Sequence, residues 1–190
     1  MINRRQLLSG LATLVLSASS VHAEEFPINY DDREKVPHKY RPKTVAFETT
    51  ESPGTIIIES DKKYLYLVLE GGKARRYGVG VGKDGFRWAG TATIKRKAKW
   101  PKWTPTKEQI ERVPNYKQWA AGYPGGPYNP LGARALYLFE GSRDTQYRIH
   151  GTTEPFTIGK RVSSGCLRML NVDVADLYER VPIGTKVIVR

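Results

Sequence analysis

The sequence predicts a mainly β fold, and three observations carry that prediction. Short β-branched and aromatic runs recur between turn signals from Gly54 onward, the pattern of strands joined by tight connections. The composition is rich in turn formers, with 18 glycines and 12 prolines among 190 residues. A helical apolar stripe of any length occurs at one place near the C-terminus, so strands precede the helix instead of alternating with helices, which argues against a parallel α/β sheet. With 39% apolar and 26% charged side chains, the chain suffices for one domain with a proper core and not for two large ones.

Residues 54–190 form the expected domain. Thr55 to Ile58 reads as a strand, Ser60 to Lys63 as a turn and Tyr64 to Leu69 as the partner strand of a hairpin. After a turn at Gly71-Gly72-Lys73, Ala74 to Gly82 continues as a strand. Its Tyr77, Val79 and Val81 share one face, while Gly78, Gly80 and Gly82 leave the other open to a close neighbour. A phosphate-binding loop is the rival reading of these glycines, but no Gly-Lys-Ser/Thr and no helix start follow.

Gly90 to Ile94 is a further strand, leading into the cations Lys95, Arg96, Lys97, Lys99 and Lys102 with Trp100 and Trp103 among them. This stretch fits a cleft wall for an anionic, partly apolar substrate, with Trp103 as a substrate contact. It fits equally a solvated strand edge beside half-buried tryptophans. Thr106-Lys107-Glu108-Gln109 has capping-box spacing, predicting a short helix from Lys107 to the stop at Val113-Pro114. The long segment from Asn115 to Gly132 is irregular, and its prolines and aromatics favour a formed, functional loop. Ala133 to Phe139 and Gln146 to His150 are two more strands. Asn171 is the expected cap of a helix whose Val174, Leu177, Tyr178 and Val181 make one apolar stripe, and Lys186 to Val189 is the last strand.

Ahead of the domain, residues 1–23 read as a cleaved export signal: Arg4-Arg5, an apolar run from Leu7 to Leu16, and small residues at Val21-His22-Ala23. The run is too short for a stable membrane anchor, so the protein is expected in the periplasm or cell wall and not as an integral membrane protein. Residues 24–53 read as a polar arm with one short strand at Thr44 to Phe47. The net charge is +12, of which two arginines lie in the signal. Such an excess favours anionic partners; for an exported protein that means a wall polymer or membrane surface and not nucleic acid, and it serves solubility equally well.

The chemistry concentrates in two short motifs. Cys166 is the sole cysteine, and His150 the sole histidine in the C-terminal half. A thiol and an imidazole are what nucleophilic acyl transfer needs, the one to attack and the other to carry the proton. In an oxidising compartment a lone cysteine makes no internal disulfide, so it is either buried or used. His150 closes a strand, and Gly151-Thr152 turns the chain away, leaving one ring nitrogen for the cleft and the other for an orienting acceptor such as a backbone carbonyl. Gly165 removes a side chain where a substrate must approach and frees backbone N–H groups for an oxyanion. An imidazolium and a nearby helix start would both raise the thiolate fraction. Arg168 adds positive potential, anchors a carboxylate, or pairs with a surface acid. The inventory cannot build a closed zinc site, and no metal or other cofactor is expected.

At these residues the chain resembles the L,D-transpeptidase catalytic domain, also called YkuD-like. The resemblance rests on His150-Gly151-Thr152, Ile158-Gly159 and Ser163-Ser164-Gly165-Cys166-Leu167-Arg168-Met169, and extends over residues 54–190; Ser164 departs from the histidine or lysine of many members. It implies a β-sandwich with a short middle helix and one helix after the cysteine, in an exported enzyme of peptidoglycan metabolism. Cys166 would attack a tetrapeptide stem, release D-alanine and hold the acyl group as a thioester until an amine of a neighbouring stem, or of a protein destined for the wall, resolves it. His150 would move the proton, the Gly151 carbonyl would orient the ring, and the N–H groups near Gly165 and Cys166 would form the oxyanion hole. Arg168, Ser163, Ser164 and Thr152 would meet substrate. A hydrolase with water as acceptor (an L,D-carboxypeptidase) is the alternative, and a non-catalytic wall-binding module the reading from another class.

Overall fold

Backbone pairing in the computed structural model, which describes residues 25–84 and 88–190, builds one long mixed sheet. The export-signal reading of residues 1–23 falls outside the described residues. In chain order the strands are β1 (Lys43–Ala46), β2 (Ile56–Glu59), β3 (Tyr64–Leu69), β4 (Lys73–Gly78), β5 (Val81–Gly82) and β6 (Gly90–Lys99). Helix α1 (Lys107–Arg112) is followed by β7 (Arg134–Glu140), β8 (Arg143–His150), β9 (Arg161–Ser163), β10 (Leu167–Arg168), helix α2 (Asn171–Arg180) and β11 (Lys186–Val189). The sheet order is β1-β4-β3-β2-β11-β6-β7-β8-β10, with β5 and β9 paired separately. The fold is mainly β, as the sequence predicts.

One end of this sheet, β10, meets the segment that follows β4 near the other end. Gly80, just beyond β4, exchanges backbone hydrogen bonds of 2.8 Å with Arg168 of β10, so the sheet folds over one core. Ile56, Leu65 and Tyr77 from one half and Leu136, Ile149 and Leu167 from the other belong to the same buried cluster, closed by Val174 and Leu177 of α2. The uninterrupted run Ile56-Ile57-Ile58 in β2 has its reason here. Ile56 and Ile58 enter the main core, while Ile57 enters a second cluster with Tyr66, Val68 and Ala74, and a strand covered on both faces has no solvent side to make polar.

The single strand expected from Ala74 to Gly82 is broken, since β4 ends at Gly78 and β5 pairs with β9 apart from the main sheet, but Gly78 and Gly80 do face close neighbours. A Cβ on Gly78 would strike Tyr40, and one on Gly80 would lie 2.8 Å from the Thr157 carbonyl oxygen. The N-terminal arm is thereby packed and not loose. Tyr40 fills the space over Gly78 and Gly159, Val36 is buried with Ile158, Leu170 and Val172, and Arg33 places Nε and Nη2 at 3.1 and 3.0 Å from Asp173 Oδ1 on α2. Its strand is Lys43–Ala46, one residue earlier than expected.

Two expectations need correcting. The basic stretch after Ile94 does not form one wall, because β6 runs on to Lys99 and its alternation sends the cations to different faces. Lys97 crosses to the core side and caps α2, donating to the carbonyls of Tyr178 and Val181 at 2.6 and 2.7 Å, whereas Arg96 lies 3.6 Å over the Tyr137 ring on the other side. Asn171 is not the cap of α2. It is the first helical residue after Leu170, and its side chain turns back to accept from the Ala133 N–H at 2.9 Å. The capping box of α1 forms as the spacing predicts, with Thr106 and Gln109 exchanging bonds.

Candidate active site

The parallel pairing of β8 with β10 sets Ile149 beside Leu167 and His150 beside Arg168. Ile149 and Leu167 point into the core, so alternation turns Arg148, His150, Arg168 and, one step before the strand, Cys166 to the opposite face. The same face continues across the neighbouring strands. Tyr137 is paired with both Arg148 and Arg96, and Ala135 with both His150 and Ala98. Cys166 therefore sits in the row Arg96–Tyr137–Arg148, diagonally from His150 in the next row, a separation within side-chain reach on a sheet. Ala98 and Ala135 keep the floor beside His150 low.

His150 is buried, at 5% exposure, and its Nδ1 lies 2.6 Å from the Gly151 carbonyl oxygen. The turn that aims this carbonyl is tightly held. Gly151 N–H donates to the Arg134 carbonyl at 3.0 Å, and a Cβ on either Gly151 or Gly132 would collide with the Asn171 side chain. Burial, followed by the Arg168 and Arg148 charges, pulls the imidazole down from 6.5 to about 4, against the Gly151 and Leu131 carbonyls. At neutral pH it is therefore an uncharged ring donating from Nδ1 to the Gly151 carbonyl, with the Leu131 carbonyl also beside it.

Cys166 is half-buried and donates its thiol proton to the Gln146 carbonyl at 3.8 Å, not to the imidazole. Burial pushes the thiol up, while the Arg148 backbone N–H and the charges of Arg148 and Arg168 oppose that rise. The supports expected for a thiolate, an imidazolium and a helix start, are thus replaced. The histidine is neutral, and β10 separates Cys166 from α2.

The loop before Cys166 is folded by Ser163, whose hydroxyl donates to the Cys166 carbonyl at 2.5 Å and accepts from the Gly165 N–H at 3.2 Å. Ser163 thus folds the loop, and the Gly165 N–H, one of the groups expected near an oxyanion, is engaged by the Ser163 hydroxyl. Gly165 has φ of 126°, the left-handed region where glycine is favoured. Thr152 is buried and accepts from the Glu154 N–H at 3.0 Å, so its hydroxyl shapes the turn and does not line the cleft. Arg168 reaches Glu154 at 2.6 Å, the surface pairing, yet still lines the cleft with Ser163, Ser164, Cys166, His150 and Trp103.

That cleft has a volume of about 450 Å³. Its remaining wall was not singled out in the sequence: Gln109, Arg112, Val113 and Tyr116 from α1 and the turn after it, Pro130 and Leu131 from the long loop, and Lys83 opposite. Tyr116 meets Trp103 edge to face at 5.1 Å. The capping box and the rigid aromatic loop were the available signals for this wall, but neither says which way the segment folds. Among the described lining residues the charged ones, Lys83, Arg112 and Arg168, are all cations.

A thiol and an imidazole thus face one cleft with a cationic lining on a mainly β scaffold. Residues 53–189 match the model of the L,D-transpeptidase catalytic domain, YkuD, and the chain belongs to that family. It is 40% identical over 138 residues to the probable L,D-transpeptidase YbiS of Escherichia coli, covering 70% of this chain and 43% of that protein. The chain spans about half the length of the curated relatives it matches. A crystal structure from Brucella melitensis, described as a probable carnitine operon oxidoreductase caia, is 53% identical with a TM-score of 0.57 and covers 83% of this chain and 98% of that one. An L,D-transpeptidase from Mycobacterium smegmatis shares the fold, with a TM-score of 0.54 at 19% identity over 72% of this chain and 58% of its own.

Proposed function

We propose that this protein is an exported peptidoglycan L,D-transpeptidase in which Cys166 is the nucleophile and His150 the proton carrier. The observation that carries the reading is that these two side chains share one sheet face at the floor of a cleft whose charged lining is cationic. A peptide stem ending in a carboxylate suits that charge.

In the proposed course, His150 Nε2 takes the thiol proton as sulfur attacks the carbonyl carbon of the stem's third residue. The Cys166 N–H faces the developing oxyanion. Collapse of the tetrahedral adduct breaks the bond to D-alanine, whose amine leaves with the proton from Nε2. An acceptor amine then attacks the thioester and gives its proton to Nε2, which returns it to the departing thiolate. The Gly151 carbonyl supports the ring in both protonation states, and the Leu131 carbonyl favours the imidazolium.

The test is incubation of the purified protein with a disaccharide tetrapeptide, reading intact protein mass and products. A tripeptide adduct on the wild type, lost in Cys166→Ala, together with a cross-linked dimer, is the expected result. Free tripeptide without dimer would make water the acceptor, and wall binding with no adduct would leave a binding module. For the export segment, N-terminal sequencing of mature protein from the native host is expected to begin at Glu24.

A further inference from the structure

The strand that brings His150 to the site is irregular next to the thiol. Between the pairs Phe139–Asp144 and Tyr137–Arg148, three residues of β8, Thr145 to Tyr147, stand opposite Leu138 alone. The middle one, Gln146, has φ of 66°, a left-handed conformation that costs a non-glycine residue about 1 kcal/mol or more. Strain of this kind persists where the surroundings hold it, and the holding groups are visible. Asp144 Oδ1 accepts from the Gln146 N–H at 2.8 Å, and Thr145 Oγ1 donates to the Leu138 carbonyl at 2.7 Å while accepting from the Tyr147 N–H at 3.2 Å. The bulge presents the Gln146 carbonyl to Cys166 Sγ.

Asp144 has a second task. Its two oxygens grip Arg148, Nη1 to Oδ1 at 2.7 Å and Nη2 to Oδ2 at 2.8 Å, and the guanidinium lies 4.5 Å over the Tyr137 ring, whose ring also carries Arg96 at 3.6 Å. A planar cation held by a fork and an aromatic face has few positions to choose from. The Arg148 side chain is 13% exposed, against 23% for Arg168, which pairs with Glu154 at the rim. The ionisable groups that act on the sulfur are therefore Arg148, Arg168 and Asp144, with His150 and Tyr147 on the same strand. With His150 neutral, the positive charge near the thiol comes from arginines.

We propose that Asp144 and Arg148 are positioning residues for the nucleophile: Asp144 fixes the strained Gln146 bulge that parks the thiol, and Arg148, clamped by Asp144 and Tyr137, supplies the fixed positive charge that receives the thiolate when the proton leaves. The inference deepens the reading of Cys166 as nucleophile and rests on it for its functional meaning, while its physical content concerns the thiol alone.

Because Cys166 is the sole cysteine, its alkylation by iodoacetamide reports thiolate directly and needs no peptide substrate. The rate would be followed from pH 5 to 10 in wild type, Arg148→Met, Arg148→Lys and Asp144→Asn, with thermal unfolding as the control for folding. Arg148→Met removes the cation and leaves Asp144 facing the sulfur, so alkylation at pH 7 is expected to slow roughly tenfold, with much of the loss restored in Arg148→Lys. Asp144→Asn keeps an oxygen for the Gln146 N–H but breaks the two-oxygen fork on Arg148; it removes a negative charge and is expected to alkylate at least as fast as wild type, yet to lose about tenfold in kcat on the stem peptide, because the guanidinium is no longer clamped. A wild-type alkylation profile in Arg148→Met, or unchanged kcat in Asp144→Asn, would overturn the proposal. If Arg148→Met does not fold, the Arg148→Lys and Asp144→Asn profiles decide it. The expected alkylation shifts in a wild type that processes no stem peptide would uphold the electrostatic assignment and refute the transpeptidase reading instead.

Discussion

Asn171 offers a quantitative test of how the site is held. Its Oδ1 accepts from the Ala133 N–H at 2.9 Å, Ala133 is fully buried, and the side chain lies where a Cβ on Gly132 or Gly151 would fall. One amide thus ties together the start of β7, the turn after His150 and the first turn of α2. Asn171→Leu keeps the branched shape and removes the acceptor, leaving a buried N–H without its partner at a cost of about 1–3 kcal/mol. For a domain of this size each kcal/mol lowers the melting temperature by about 2–4 °C, so a drop of about 2–12 °C is expected. Asn171→Asp keeps the oxygen and adds a negative charge at a helix N-terminus, where it is favourable, and is expected to melt near wild type. The assay is thermal unfolding by circular dichroism at one pH and protein concentration. A wild-type melting temperature for Asn171→Leu, or equal losses in both variants, would refute the claim that this hydrogen bond is what matters at the junction.

Stability should depend on pH through two buried groups of opposite sign. Burial, only partly offset by Arg33, raises the Asp173 carboxyl from 3.8 to about 6. Its contribution is therefore full below pH 3.8 and is lost as pH rises through 6, by an amount on the order of 3 kcal/mol. His150, lowered from 6.5 to about 4, contributes fully above 6.5 and is lost as pH falls toward 4, also on the order of 3 kcal/mol. Relative to wild type, urea midpoints of Asp173→Asn should gain with rising pH between 4 and 6, and those of His150→Gln should fall; slopes of the same sign would contradict the assignment. Tyr116→Ala removes the ring that supports Trp103 at 5.1 Å in the cleft wall, so KM for the stem should rise while the alkylation rate of Cys166 stays unchanged. With the imidazole titrating at about 4, kcat/KM should keep its value down to about pH 5; an acid limb near 6.5 would show that the ring titrates at its ordinary value.

What could be read from the sequence and what could not divide along physical lines. Strands announced themselves wherever alternation or a β-branched run met a turn, so β2, β3, β7 and β11 appear where expected. The open face at Gly78 and Gly80 was visible from spacing, but its occupant, Tyr40, lies 38 residues from Gly78 in a polar arm with no periodicity. The β8 bulge left no signal, because nothing local favours a left-handed glutamine and the hydrogen bonds that hold it come from the irregularity itself. Asn171 misled for a related reason. An asparagine before an apolar stripe resembles a cap until a buried N–H elsewhere in the fold claims its oxygen.

Protonation states were the least legible part of the site. Spacing brought a thiol and an imidazole together, and with unperturbed values an imidazolium beside a thiolate would be the natural picture. The fold argues otherwise. Burial disfavours charge on both groups at once, lowering the base and raising the acid, so the resting pair is neutral. The thiol proton is occupied with the Gln146 carbonyl, the ring with Gly151, and the fixed charges around them are arginines. Such a site holds little thiolate when empty, which lowers the reactivity of the thiol toward oxidants. The loop folded by Ser163 and the turn held by Asn171 then matter for the same reason: a neutral pair has no strong mutual attraction to draw it together, so the backbone must supply the alignment.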